Sequence, residues 1–297
     1  MHAVIRTLGL FATMTLLLVG IGALVGYFIQ EIWIGILIML FLSVIMNLYA
    51  YFGSKRAVMR RHKVRVVTET EQPKLYRIVK KIADEAEMPM PEVGIMQNQS
   101  PNAFASGRNP KNAIVVATTG LLDLLDDDEL EGVMAHEMAH VHNRDILIMS
   151  VAATIAGVIS FLSTFLLFAG LRNSRDNGAM LAIGVLSYLL LPIAAMFIQL
   201  GISRGREYEA DKVGAKFTGK PLALASALRK LEYGIAKTPI NNTKYSESNA
   251  DAHLWIESPA AKGKKGVSSM FSTHPPIAMR IQRLEAMAPK ENPFKND

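Results

Sequence analysis

The stretch Gly132–Ser150, GVMAHEMAHVHNRDILIMS, places two histidines four residues apart and then becomes an apolar run. Residues i and i+4 of an α-helix lie about 40° apart around its axis, so His136 and His140 would present their imidazoles side by side. Glu137 lies about 100° from His136, where it can reach a water molecule without binding a metal. This H-E-x-x-H pattern is typical of zinc sites that activate water, with Glu137 as the general base.

The chemistry of these side chains indicates which ion would bind. Two imidazole nitrogens beside an open coordination position suit zinc better than magnesium or calcium, which prefer oxygen ligands. We therefore expect one Zn²⁺ per chain. The site also needs a third protein ligand. The metzincin extension does not supply it, because Asn143 and Ile146 occupy the glycine and histidine positions of that pattern.

A distant carboxylate is the other way to complete such a site, and residues 203–211, SRGREYEAD, offer two glutamates. Glu207 and Asp211 share one helix face at i and i+4, whereas Glu209 points about 200° away from Glu207. A metal ligand and a carboxylate that orients a ligating histidine belong on one face. The spacing therefore favours Glu207 as the third ligand and Asp211 as the orienting carboxylate.

Much of the remaining sequence is typical of a membrane protein. Four stretches of 23 to 27 residues contain no Asp, Glu, Lys or Arg. Each exceeds the roughly 20 residues that an α-helix needs to cross a bilayer, so we expect four transmembrane helices, at residues 7–30, 32–54, 146–171 and 177–203. The third span begins directly after the histidine motif, and the metal-binding helix is expected to run into it. Asn47 is expected to form a hydrogen bond between spans.

The positive charges flank these spans unevenly. One set of span ends carries Arg6, the six cations from Lys55 to Arg65, Arg144, Arg204 and Arg206, and the other set carries Arg172 and Arg175. By the positive-inside rule, both termini and the polar segments face the cytoplasm. The absence of cysteine is compatible with this reducing compartment.

These boundaries predict a mainly α-helical chain with a small β-sheet. Residues 1–54 and 146–203 are predicted to form two transmembrane hairpins. Residues 55–145 and 204–297 are predicted to assemble into one cytoplasmic domain that contains the candidate metal site. Within the first of these segments, residues 102–120, NAFASGRNPKNAIVVATTG, are typical of a β-hairpin that turns between Gly107 and Asn112.

Helix boundaries in the polar segments have clear signals. Asp126 and Glu129 have the spacing of a capping box, and Pro221 is typical of a helix start. A final helix is predicted in PPIAMRIQRLEAMA, which begins at Pro275. Residues 238–269 are rich in small and polar side chains, which indicates a long loop that is either disordered or a lid.

Charge and composition exclude several other classes of protein. The net charge is +6, but the cations cluster beside a span, where anionic lipid headgroups attract them, so no nucleic-acid partner is expected. A metal transporter would place charged or histidine ligands inside the spans, which contain none. A di-iron bundle needs two Glu-x-x-His motifs, and only Glu137–His140 qualifies.

Three motifs together, HEMAH followed by NRD, then SRGREYEAD and the late THPP, resemble the HtpX family of membrane metalloproteases, relatives of the CAAX prenyl endopeptidases. The similarity covers essentially the whole chain. It implies a zinc endopeptidase of the bacterial inner membrane that degrades misfolded or damaged membrane proteins. It also implies that residues 55–145 and 204–297 form a zincin-like protease domain of the gluzincin type. In the family pattern His136, His140 and Glu207 hold the zinc, and Glu137 is the base.

The resemblance also places His274 near the active site, where it would donate to the oxyanion of the reaction, although a helix-capping role is equally compatible with its position. A peptide in extended conformation is expected to pair with the edge strand formed by Asn102, Ala103, Phe104 and Ala105. Two other functions stay open, a CAAX-type prenyl-protein endopeptidase and a non-enzymatic membrane protein that binds metal or acts as a scaffold. Four spans are fewer than CAAX-type enzymes have. The sequence does not indicate an oligomeric state.

Overall fold

The computed structural model describes residues 2–28, 30–52, 54–145, 178–237 and 275–288, and single positions between 148 and 171. The chain divides into two compact units. The first comprises Met1–Ala57 and Arg144–Ser203, and the second comprises Val58–Asn143 and Arg204–Asp297. Most of the predicted span 146–171, the predicted loop 238–269 and His274 lie outside the described residues.

The described residues are mainly helical and include one small mixed sheet, as the sequence predicts. The helices are α1 (His2–Phe28), α2 (Ile32–Phe52), α3 (Ser54–Arg61), α4 (Pro73–Glu85), α5 (Thr119–Leu124), α6 (Asp127–Asn143), α7 (Gly178–Thr218), α8 (Pro221–Lys237) and α9 (Ile277–Met287). The strands are β1 (Arg65–Val66), β2 (Glu92–Met96), β3 (Ala103–Gly107) and β4 (Ala113–Thr118). The predicted helix start at Pro221 is confirmed.

In the first unit α1 and α2 pack against each other through apolar side chains. Glycines at the interface let the two backbones approach closely, since a Cβ atom at Gly35 would lie only 2.1 Å from the carbonyl oxygen of Gly22. The predicted hydrogen bond of Asn47 is confirmed, because its Nδ2 donates to Oγ1 of Thr15 on α1 at 3.1 Å. Shape and one polar contact therefore fix this helix pair.

Within the described residues, one helical segment, Ile32–Tyr49, is long and apolar enough to cross a membrane. A shorter apolar stretch covers Phe11–Leu24 in α1. Residues 178–203 of the predicted fourth span lie in α7, which begins at Gly178 and continues to Thr218.

The sheet of the second unit has the strand order β1-β2-β4-β3. β2 and β4 are parallel, whereas β3 and β4 are antiparallel, with Phe104 opposite Val116. The predicted hairpin of residues 102–120 is therefore confirmed. β3 ends the strand order, which makes it an edge strand.

The two faces of β3 carry side chains of different size. Phe104 belongs to an apolar cluster with residues of β2, β4 and α3. Because side chains alternate along a strand, Ala103 and Ala105 lie on the opposite face. α6 contacts both β3 and β4. The small side chains of Ala103 and Ala105 thus allow neighbouring elements to pack closely against this face of β3.

α6 begins where the capping box predicts. The backbone N–H of Glu129 donates to Oδ1 of Asp126 at 2.9 Å, and the N–H of Asp126 donates to Oε2 of Glu129 at 3.1 Å. Every residue from Glu129 to Val141 is buried. The helix is therefore a central element of its unit, in contact with α4 and α8.

α6 ends at Asn143, and the expectation that it runs into the third predicted span is wrong. Arg144 has a φ of 59°, in the left-handed region. A residue with that backbone conformation cannot continue a right-handed helix, so α6 ends directly after the histidine motif.

We expect Gly35→Ala to separate α1 from α2, because the added methyl group would overlap the Gly22 carbonyl; such overpacking costs about 1–3 kcal/mol. The chain contains no cysteine, so a Thr15→Cys, Asn47→Cys background can report the separation as yield of disulfide cross-link. Gly20→Ala is the matched control, since nothing lies within 4 Å of its Cβ position. Equal yields in Gly35→Ala and Gly20→Ala would contradict the role of the close contact.

Candidate metal centre

Two imidazoles from α6 form one side of the candidate centre. His136 and His140 are both buried, and their Nε2 atoms lie 3.3 Å apart. The rings are nearly perpendicular, with centroids 4.8 Å apart. The spacing of four residues on a straight helix produces this juxtaposition, as the sequence predicts.

Glu207 on α7 provides the third side. Its carboxylate oxygens lie 3.7 Å from Nε2 of His136 and 3.6 Å from Nε2 of His140. Among the described residues, these three side chains form the group whose ligand atoms all lie within 4.8 Å of one another. The structure thus brings together two residues of one segment and one residue of a distant segment.

The spacing of the ligand atoms fits a small tetrahedral ion. Zinc bonds of about 2.0–2.1 Å in a tetrahedral site place neighbouring ligand atoms about 3.3–3.4 Å apart. The two imidazole nitrogens are 3.3 Å apart, and each lies within 3.7 Å of one oxygen of the Glu207 carboxylate, Oε2 for His136 and Oε1 for His140. Two imidazoles and a carboxylate are also a donor set that occurs in catalytic zinc sites.

Asp211 lies one helical turn beyond Glu207 on the same face of α7. Its Oδ1 is 2.9 Å from Nδ1 of His136, the ring nitrogen that faces away from the other two ligands. A carboxylate in this position fixes the orientation of a ligating imidazole and leaves Nε2 available to a metal. The structure therefore places Asp211 where the sequence predicts an orienting carboxylate.

Arg280 on α9 completes the centre and is not among the residues predicted from the sequence. Its side chain is fully buried and forms two hydrogen bonds to Asp211, from Nε at 2.8 Å and from Nη2 at 2.7 Å. Its Nη1 lies 3.3 Å from Oε2 of Glu207. One guanidinium thus contacts both carboxylates that α7 contributes.

A sequence signal for Arg280 exists. The residue lies between Ile277 and Leu284 on one helical stripe, and all three are buried. An arginine on the apolar stripe of an amphipathic helix must find a buried partner, because an unpaired buried charge is strongly unfavourable.

The electrostatics of this pair follow from burial and contact. Burial would raise the pKa of the Asp211 carboxyl, but the neighbouring Arg280 guanidinium holds that pKa well below its usual range. Burial would likewise lower the pKa of Arg280, whereas the carboxylates of Asp211 and Glu207 raise it above its usual value. Both groups are therefore charged at neutral pH, and the pair persists as an ion pair.

The other predicted residues differ in their surroundings. Glu137 is buried on α6 beside the two histidines, and Asn102 to Ala105 are buried at the edge strand. Glu209 is exposed, as expected for a residue on the opposite face of α7. His142 is also exposed and packs against Phe217, away from the ligand atoms. His274 lies outside the described residues.

Comparison with known proteins decides the family. The profile of peptidase family M48 matches residues 69–288, a range that contains every described residue of the centre. The chain belongs to peptidase family M48. Membership confirms the predicted enzyme class, that of a metallopeptidase, and supports the predicted activity of a membrane zinc endopeptidase.

Full-length relatives confirm the resemblance to the HtpX family. A protease HtpX homolog of Gemmatimonas aurantiaca is 44% identical over 96% of this chain and 99% of its own length. One from Pyrococcus furiosus is 45% identical over 96% of both chains. The similarity of the M48 chain to these proteases therefore extends over both of its units.

A solved structure shows the same fold. The crystal structure of S. mikatae Ste24p matches 95% of this chain with a TM-score of 0.54 and 20% sequence identity. This chain spans 65% of the length of Ste24p. At that identity the similarity concerns the fold alone.

The carboxylates of α7 should rank in the order Glu207, Asp211, Glu209 for metal retention. Glu207→Ala removes one of three ligands and should lose the metal. Asp211→Ala should weaken metal binding by about 10- to 100-fold, because the His136 imidazole loses the carboxylate that orients it. Glu209→Ala should retain wild-type binding, because Glu209 is exposed. The measurement is metal content after dialysis against a mild chelator. Loss of metal in Glu209→Ala with retention in Glu207→Ala would contradict the assignment.

We expect Arg280→Met to destabilise the second unit by about 3–5 kcal/mol, because it leaves a buried carboxylate without its ionic partner. Metal affinity should fall as well, since Asp211 and Glu207 lose the group that holds them. Arg280→Lys should recover only part of the effect, because an ammonium cannot make the two parallel hydrogen bonds.

Arg283→Met is the matched control for Arg280→Met. Arg283 lies one turn further along α9 and is exposed, with its guanidinium 3.7 Å above the ring of Tyr208. Unfolding midpoints in detergent and zinc titration measure both effects. Equal losses in Arg280→Met and Arg283→Met would show that the buried ion pair has no special role.

Proposed function

We propose that this M48 chain is a zinc endopeptidase that hydrolyses misfolded or damaged membrane proteins at the bacterial inner membrane. His136, His140 and Glu207 hold the ion, Asp211 orients His136, and Glu137 is the general base. The observation that carries the proposal is the convergence of two imidazoles and one carboxylate, whose ligand atoms all lie within 4.8 Å of one another. It combines the donor types and the spacing that a catalytic zinc site needs.

The charge around the site also favours a divalent cation. Glu137, Glu207 and Asp211 are three buried carboxyl groups. Among the described residues, Arg280 is the one buried arginine, and it contacts Glu207 and Asp211. A divalent ion supplies the additional positive charge that one arginine does not. Imidazole ligands favour zinc over magnesium or calcium. One Zn²⁺ per chain is therefore the proposed cofactor.

A zinc ion held by His136, His140 and Glu207 would supply a Lewis acid and would lower the pKa of water at the site. Glu137 and Asp211 then have separate roles. The Glu137 carboxylate accepts the proton of the attacking water and returns it to the leaving amine. The Asp211 carboxylate keeps the proton of His136 on Nδ1, so that Nε2 faces the other ligands.

The edge strand β3 is the proposed docking site for the peptide. No strand pairs with the side of β3 opposite β4 within the described residues. An extended segment can add there through backbone hydrogen bonds, with Asn102, Ala103, Phe104 and Ala105 along its length. Backbone pairing depends little on sequence, which suits an enzyme that removes diverse damaged proteins.

The membrane arrangement is part of the proposal. We assign four spans, at 7–30, 32–54, 146–171 and 177–203, and a cytoplasmic protease domain built from 55–145 and 204–297. Support comes from the uncharged stretches, the uneven distribution of cations and the apolar helix at Ile32–Tyr49. The proposed role of His274 is to donate a hydrogen bond to the oxyanion of the substrate.

Glu137→Ala should abolish proteolysis and leave about one zinc per chain, because the base contacts water and does not bind the metal. Loss of a positioned base typically costs about 10²- to 10⁴-fold in rate. The assay is cleavage of an unfolded protein such as casein by the purified full chain, with metal content measured on the same samples.

Two further variants serve as controls for Glu137→Ala. Glu209→Ala removes an exposed carboxylate of the same type and should cleave casein as the wild type does. His140→Ala should lose both metal and cleavage. If Glu137→Ala keeps activity within about threefold of wild type, Glu137 is not the base. If the zinc-loaded wild type cleaves no unfolded protein, the non-enzymatic alternative gains support.

A further inference from the structure

Gly214 is a point of very close contact between α7 and α6. A Cβ atom at this position would lie 2.8 Å from the backbone nitrogen of His136 and 3.0 Å from its Cα. The carbonyl carbon of Ala135 would be 3.0 Å away. Backbone atoms of the metal-binding helix therefore fill the space that any side chain at 214 would need.

Gly214 lies on the face of α7 that carries the site. Glu207, Asp211 and Gly214 are spaced i, i+4 and i+7, which places them within about 60° of one another around the helix axis. The carboxylates thus reach the histidines on the same stripe where Gly214 touches the backbone of His136. A displacement of α7 at Gly214 would move Glu207 and Asp211 away from α6.

The size of that displacement exceeds what a metal site tolerates. Ordinary van der Waals contact begins near 3.4 Å, so a methyl group at Gly214 would require a shift of about 0.6 Å against rigid backbone atoms. Metal–ligand distances vary by only about 0.2 Å around their preferred values. One methyl group is therefore large enough to increase the distance between Glu207 and the two histidines beyond what a metal site tolerates.

We propose that Gly214 is a positioning residue that sets the separation of α7 from α6, and with it the zinc affinity and the ion-size preference of the centre. The proposal rests on the metal centre assigned above. It predicts that a side chain at Gly214 enlarges the site. An enlarged site disfavours zinc more than cadmium, because Cd²⁺ forms longer bonds to nitrogen and oxygen.

The test compares the full-length wild type with Gly214→Ala and three references, all purified in detergent and stripped of metal by a chelator. Gly205→Ala makes the same change on the same helix at an exposed position with nothing within 4 Å. Gly132→Ala crowds α6 against α8, where its Cβ would lie 3.0 Å from Cα of Leu224. His140→Ala removes a ligand. Dissociation constants for Zn²⁺ and Cd²⁺ are measured by competition with a chromophoric chelator.

Gly214→Ala should bind zinc about 10- to 100-fold more weakly than the wild type, as expected for a residue that positions ligands, and should lose less affinity for cadmium. Gly205→Ala should bind both ions as the wild type does. Gly132→Ala should lower the unfolding midpoint without changing the ratio of the two affinities. His140→Ala should bind neither ion.

Several results would overturn the proposal while leaving the metal centre intact. One is a zinc affinity of Gly214→Ala within threefold of wild type while His140→Ala has lost the metal. Another is an equal loss for both ions in Gly214→Ala and Gly132→Ala, which a purely structural glycine would give. Failure of Gly214→Ala to fold while Gly132→Ala folds also counts against it, because a local shift of α7 leaves a folded unit. Wild-type zinc binding by His140→Ala would instead refute the metal centre itself.

Discussion

The ion pair between Asp211 and Arg280 is the interaction on which the described metal centre depends. Both side chains are buried, and charges are stable in such a place only when they are paired and hydrogen-bonded. Asp211 in turn holds His136, and Arg280 also contacts Glu207. Three helices, α6, α7 and α9, thus meet through one chain of polar contacts, and the orientation of the ligands and the docking of α9 are coupled.

Close backbone contact is the second constraint, and it recurs in both units. α1 and α2 approach at Gly22 and Gly35, and α7 approaches α6 at Gly214. A packed interior transmits strain instead of absorbing it, so a single methyl group at such a contact moves a whole helix. In the first unit this close contact determines how tightly α1 packs against α2. In the second unit we propose that the close contact at Gly214 sets the distance between the proposed metal ligands of α6 and α7.

The elements that the sequence predicts well are local ones. The capping box at Asp126, the hairpin of residues 102–120 and the side-by-side placement of His136 and His140 each depend on residues close in the chain. Asn47 is predictable for another reason, since a polar amide in an apolar helix must find a partner. The continuation of α6 past Asn143 is wrongly predicted, because Arg144 has a positive φ and no glycine in the sequence marks the break.

The sequence by itself determined the family, the chemistry of the ligands and the face of α7 that carries Glu207 and Asp211, because residue type and helical periodicity are properties of short segments. The tertiary structure decided which distant groups meet. Arg280 lies 69 residues from Asp211 in the chain, and its position on the apolar stripe of α9 indicates a buried partner without indicating which residue that is. The contact of Gly214 with His136 is likewise invisible in sequence, since the space available to a side chain exists only after two helices have packed.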